Sequence, residues 1–230
     1  MRLYEKILSF YQTLKFDKSL LPSQVEVMNP YFDNSGLLKE SIKKFYQKFY
    51  NDNEQRKIIL GINPGRHGAG VTGIPFTDTK RLNSECGIIF KKGSTHEPSS
   101  VFVYDMIKAY GGVNKFYKDF YISSVSPLGF VKVDNKGKET NFNYYDQTEF
   151  MENIKPFVLD CLRKQLDFGI QTKECYCLGN GDNFNYLNIL NSEYSIFESI
   201  IPLAHPRYIQ QYKSKNRDQY ISEYIEALRK

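Results

Sequence analysis

Tryptophan is absent from the 230 residues, and cysteine, methionine and histidine are scarce, at four, four and three. The cysteine spacing excludes several classes of protein. Cys86 and Cys161 have no second cysteine near them, and Cys175 and Cys177 are separated only by Tyr176, so on an extended strand they share a face. No C-x-x-C pair exists, which argues against a zinc site or an iron–sulfur cluster. No apolar run approaches the ~20 residues of a membrane-spanning helix. Met1-Arg2-Leu3-Tyr4-Glu5-Lys6 lacks a long apolar core and reads as a helix start rather than a signal peptide. No internal repeat or low-complexity tract is visible. The expectation is a reduced, soluble, cytoplasmic protein with no cofactor, no metal and no membrane partner.

What is present is ordinary in bulk. Hydrophobic residues make up 41% and charged residues 25%, as in a soluble globular domain. The net charge of +5 suits a polyanionic partner without demanding one. Eighteen tyrosines and seventeen phenylalanines serve equally for stacking on bases and for filling a core.

One stretch organises the rest, Lys57 to Phe76. Ile58, Ile59, Leu60 and Ile62 form a short apolar run, as in a strand buried on both faces. The run stops at Asn63-Pro64-Gly65, where Pro64 removes a donor and fixes φ. Gly65, Gly68, Gly70 and Gly73 then allow close approach of the backbone. A polar side chain, Asn63, is thereby held at the carboxyl end of a buried strand, where open α/β sheets bind their ligands.

Three further strands are expected at 119–125, 174–178 and 199–203, with helices over 2–15, 37–51, 100–110, 147–168, 182–190 and 219–228. The 100–110 helix is capped by Ser99 or Ser100, and the 147–168 helix is kinked near Pro156. Residues 20–36 and 77–100 read as irregular, and 132–143 as a polar hairpin or loop around Asp134-Asn135-Lys136-Gly137. Alternating strands and helices give one α/β domain over 1–230, a three-layer α/β/α arrangement around a central four-stranded, mostly parallel sheet.

Asn63-Pro64-Gly65, Gly68 and Thr72-Gly73-Ile74-Pro75-Phe76 resemble the first motif of the single-strand-selective monofunctional class of uracil-DNA glycosylases. Ala204-His205-Pro206-Arg207 resembles the family's second motif, in the right order along the chain. The resemblance implies a uracil-DNA glycosylase-like fold and a monomeric enzyme of base excision repair that hydrolyses the N-glycosidic bond of deaminated bases in DNA. It would be nucleoid-associated if bacterial. Some relatives carry an iron–sulfur cluster, but its ligand pattern is missing here.

The resemblance also implies roles. Asn63 would position a water, since an amide orients water but is a poor base. His205 would donate to the carbonyl of the leaving base, Phe76 would stack on it, and the amides around Gly65 and Gly68 would wall the pocket. Pro206, Arg207 and Tyr208 fall where the family inserts into the duplex. Arg66 and His67 replace apolar residues of the family and meet a phosphate or the base, or face solvent. Lys43, Lys44 and Lys48 on the 37–51 helix, and Thr79-Lys80-Arg81 with Lys91-Lys92, are either backbone-tracking groups or solvated charge, and His96 is expected at the surface. The main departure is Ser124, where the family has an Asn that reads uracil bidentately. A hydroxyl loses that pair, so broadened acceptance of bases such as xanthine or hypoxanthine is expected. No lysine stands out as a Schiff-base nucleophile, so an intact abasic site should result. Two rival readings stay open: a lesion-binding module that has lost catalysis, and a hydrolase of free nucleosides.

Overall fold

A computed structural model describes residues 1–32, 36–90 and 93–230. Asp33, Asn34 and Ser35, expected to break the early loop, and Lys91-Lys92, expected near a DNA backbone, lie outside the described residues.

The centre is a four-stranded sheet of β2 (Arg56–Gly61), β3 (Phe120–Ser124), β6 (Ile170–Leu178) and β7 (Ser199–Leu203), in the order β3-β2-β6-β7. Every pairing in it is parallel. The apolar run after Lys57 is the reason β2 sits inside: Ile58 and Leu60 have no solvent exposure, flanked by β3 and β6. All four cysteines are free and buried in this core. Arg56 anchors the start of β2. Its guanidinium is fully buried: Nη2 donates to both carboxylate oxygens of Asp52 at 2.9 and 2.8 Å, while Nη1 and Nε donate to the carbonyls of Glu54 and Tyr117.

Helices flank the sheet. α1 (Leu3–Thr13) packs on α2 (Leu37–Phe49) and on α8 (Lys155–Leu166), while α5 (Pro98–Tyr110) packs on α10 (Pro206–Tyr212) and α11 (Arg217–Leu228). The remaining helices are α3 (Ala69–Thr72), α4 (Thr79–Ser84), α6 (Val113–Asp119), α7 (Thr148–Asn153) and α9 (Asp182–Tyr194).

Several local expectations need correction. The segment over 147–168 is two helices, not one kinked helix. It breaks at Ile154, and Pro156 sits in the first turn of α8, where a missing N–H costs nothing. Helix α5 begins at Pro98 with Glu97 as N-cap residue, so neither Ser99 nor Ser100 caps it. The Ser100 hydroxyl instead donates to the Phe76 carbonyl and accepts from the Asp78 amide. The 77–100 stretch holds α4, capped by Asp78, whose side chain accepts from the Arg81 amide at 2.8 Å.

The largest addition is a second sheet. β1 (Val25–Met28), β4 (Gly129–Val133) and β5 (Glu139–Phe142) form an antiparallel sheet in the order β1-β4-β5. The polar 132–143 stretch is the hairpin between β4 and β5, and the early loop contributes β1.

Candidate active site

Chain order reverses between β2 and β6: β2 leads outward to β3, and β6 leads outward to β7. Such a switch point opens a crevice at the carboxyl ends of the strands. A cavity of about 380 Å³ lies there, lined by Asn63 and Gly65 beyond β2, Ser124 at the end of β3 and His205 beyond β7, with Phe76 and Arg207. Tyr208 also lines it. Residues far apart in sequence thus converge because three parallel strands end on the same edge.

Asn63 is held by the second sheet. Its Nδ2 donates to the Phe142 carbonyl and its Oδ1 accepts from the Tyr144 amide, each at 3.3 Å. One anchor is a backbone acceptor and the other a backbone donor, so the amide has a single sensible orientation. One N–H and one oxygen lone pair remain for the cavity. Asn141 extends the brace, its Oδ1 accepting from the Arg66 amide at 3.0 Å. The stretch read from sequence as a polar excursion is what orients Asn63.

Phe76 has φ +53°, a left-handed conformation that costs a non-glycine residue about 1–2 kcal/mol. Neighbours over-determine it: Ser100 Oγ donates to its carbonyl at 2.8 Å, and Thr77 Oγ1 donates to the Pro75 carbonyl at 3.1 Å. The ring lies over the end of β2, where a Cβ on Gly61 would come within 2.6 Å of Cε2 and Cζ. Glycine at 61 is what lets the ring approach the strand.

His205 is the N-cap residue of α10, and its Nδ1 accepts from the Arg207 amide at 3.1 Å. That bond leaves the ring proton on Nε2. Burial, with a smaller contribution from the Arg207 charge, lowers its pKa to about 4. The ring is therefore neutral at physiological pH, with Nε2–H as its donor. It stands 6.0 Å from the Phe76 ring, centroid to centroid.

Ser124 is 5% exposed, and its Oγ makes no hydrogen bond to a described protein group. Ser123 points the other way, donating to Gln165 in the core. Strand alternation therefore aims only Ser124 into the cavity.

Arg66 and His67 line an adjoining cavity of about 390 Å³, which Arg207 shares. Burial, then Arg66 and Arg207, lowers the pKa of His67. Gly68 and Pro206 are both buried and line neither cavity; Gly68 is the N-cap residue of α3 and Pro206 opens α10. Arg207 and Tyr208 stand on that helix, exposed, with Tyr208 in ring contact with Tyr212. Lys44 pairs with Glu40, and Lys48 donates to the Cys86 carbonyl. His96 is exposed, with Nδ1 2.7 Å from Arg81 Nη1. Among the described residues no group of three or more His, Cys, Asp or Glu side chains is placed to hold a metal ion.

Sequence reasoning missed Glu97 and Asn141, which line both cavities. Glu97 carried no signal, being one acid ahead of a proline in a polar stretch.

The family model of the uracil DNA glycosylase superfamily matches residues 47–229, from α2 through α11. The chain belongs to the uracil-DNA glycosylase superfamily. The crystal structure of wild-type Pedobacter heparinus SMUG2 is similar over the whole length: 46% identity, 100% of this chain and 97% of that one, with a TM-score of 0.96. A search of curated proteins found no match. The chain is a SMUG-like member of the superfamily, a DNA N-glycosylase that hydrolyses N-glycosyl bonds in DNA repair. No helix among the described residues is long and apolar enough to cross a membrane.

Proposed function

We propose that this glycosylase releases deaminated bases from DNA, uracil together with larger bases such as xanthine or hypoxanthine, and leaves an intact abasic site. It would do so as a monomer, in the cytoplasm, on chromosomal DNA. The observation that carries the reading is the convergence of Asn63, Phe76, Ser124 and His205 on one cavity at the strand ends.

In this reading the target nucleotide leaves the stack and its base enters the cavity against the Phe76 ring. The bond from C1′ to the base breaks first. Negative charge grows on the base and meets His205 Nε2–H at a carbonyl oxygen, a preorganised donor in the cavity. The sugar cation then captures a water held by the free N–H and lone pair of Asn63; that water sheds a proton to solvent, and the released base anion takes one up. The Asn63 amide orients the water without taking its proton early, so the route is dissociative. Arg207, Tyr208, Arg66 and His67 hold the flanking duplex and its phosphates around the opening. Ser124 offers one hydroxyl where the resembling family offers an amide, so it distinguishes bases less sharply and takes less room.

The test is base release from oligonucleotides carrying uracil, xanthine or hypoxanthine, with wild type beside Asn63→Ala and Ser124→Asn. Asn63→Ala should slow release by about 10²-fold or more, and Ser124→Asn should raise uracil over purine release by about tenfold. Cleavage confined to uracil in wild type would remove the broadened part of the proposal. Equal cleavage of a free deoxynucleoside would favour the nucleoside-hydrolase reading.

A further inference from the structure

Glu97 lines the same cavity as Asn63, Phe76, Ser124 and His205, and nothing in the mechanism above uses it. Its carboxyl group occupies the space that side chains at 65 and 68 would take. A Cβ on Gly65 would lie 2.6 Å from Oε1, and one on Gly68 2.0 Å from Oε2. The two glycines of the first motif thus form a recess, and the recess holds a carboxyl.

That carboxyl has almost no hydrogen-bond support. Among the described residues its one side-chain donor within hydrogen-bond distance is Ser100 Oγ, 3.5 Å from Oε2. The single proton of that hydroxyl already goes to the Phe76 carbonyl at 2.8 Å, and the oxygen accepts from the Asp78 amide at 3.0 Å. Oε1 has no hydrogen-bond partner among the described residues, and Glu97 borders both the strand-end cavity and the adjoining one. An ionised carboxylate so placed is poorly stabilised. The charges around it are mixed. The α4 cap brings Asp78, which accepts from the Glu97 amide at 2.8 Å and pairs with Arg81. His96 stands 3.9 Å from Asp78. Arg207 approaches from α10, Arg66 and His67 from the first loop, and Thr140 and Asn141 of β5 bring no charge. Burial first, then Asp78, raises the Glu97 pKa to about 7, against a lowering by Ser100 and Arg207.

We propose that Glu97 is a base-contacting, specificity-determining residue: as the neutral acid it donates a hydrogen bond to an acceptor atom of the extruded base, a carbonyl oxygen or an unprotonated ring nitrogen. The proposal rests on the reading that the base enters this cavity. A neutral carboxyl carries one donor and one acceptor, the same pair as a carboxamide. It supplies from the Gly65 side the pairing that Ser124 does not. A phosphate is the poorer partner, because its charge opposes an acid that ionises near neutrality.

The test is single-turnover release of uracil and of hypoxanthine at saturating enzyme, from about pH 5.5 to about pH 9, for wild type, Glu97→Gln and Glu97→Ala. His67→Gln and His96→Gln run beside them, so that titration of either histidine is recognised. Thermal melting verifies folding. Wild-type release of at least one base should fall about tenfold as the acid ionises around pH 7. Glu97→Gln, which keeps a donor that cannot ionise, should hold the low-pH rate throughout. Glu97→Ala should be slow at every pH and alter the ratio between the two bases. A Glu97→Gln variant that repeats the wild-type fall, or a folded Glu97→Ala variant that matches wild type, overturns the proposal while leaving the cavity reading intact. Release of neither base by wild type removes the cavity reading and this proposal with it.

Discussion

His205 should be a neutral Nε2–H imidazole across the whole physiological range. Two features fix this: Nδ1 accepts from the Arg207 amide, and burial lowers the pKa to about 4. Against an ordinary histidine near 6.5, the difference corresponds to about 3 kcal/mol against charging the ring in the folded state. The unfolded chain takes up that proton more readily than the native protein. The stability His205 contributes is therefore complete above about pH 6.5 and lost as pH falls through about 4, to a limit of about 3 kcal/mol. Nitrogen and carbon NMR of the imidazoles during a pH titration of the free enzyme reads both tautomer and pKa. Only three histidines are present, so a His205→Gln spectrum assigns the signal. The expected result is a ring that stays neutral down to about pH 5, with its proton on Nε2, and charges only around pH 4. A His205 signal that titrates near 6.5, or that carries its proton on Nδ1, would refute the reasoning. The donor to the leaving base would then be an imidazolium or the wrong nitrogen.

Two further predictions concern how the site is held. Asn141→Ala removes the acceptor for the Arg66 amide, so base release should slow by about tenfold through looser placement of the first loop. Because Asn141 is exposed, the melting temperature should hardly change; an unaltered rate would separate the hairpin from catalysis. Gly61→Ala puts a methyl 2.6 Å from the Phe76 ring, and overpacking of this kind costs about 1–3 kcal/mol. Denaturant unfolding should show that loss together with reduced base release; unchanged stability would mean that the ring is free to swing away.

The parallel sheet was legible because β2 carries the apolar run Ile58-Ile59-Leu60 and the expected strands at 119–125, 174–178 and 199–203 each end on a polar or glycine-containing turn. The two motifs lie at those ends, so the convergence of Asn63 and His205 follows once the strands are parallel neighbours in one sheet. The antiparallel sheet was not legible. β5 is exposed at Glu139, Thr140 and Asn141 and buries only Phe142, so four residues give no readable alternation. β1 lies between Pro22 and Pro30, which makes the segment read as broken chain. α10 had a signal that went unused: a proline at its first position behind a residue able to cap it. The neutral state of His205 and the recess for Glu97 depend on burial contributed by several elements, which no local pattern encodes.

The bond pair at Asn63 joins the two sheets through the one side chain proposed to hold the water. Seating the hairpin and arming the enzyme are then a single equilibrium. A fluctuation that lifts Phe142 and Tyr144 away also releases the amide. The hairpin tip at Asp134–Gly137 lies at the far end of β4 and β5. The tip is held by its own turn, where Asp134 Oδ1 accepts from the Lys136 and Lys138 amides and Gly137 has φ +76°, whereas the base of the same hairpin carries both bonds to Asn63.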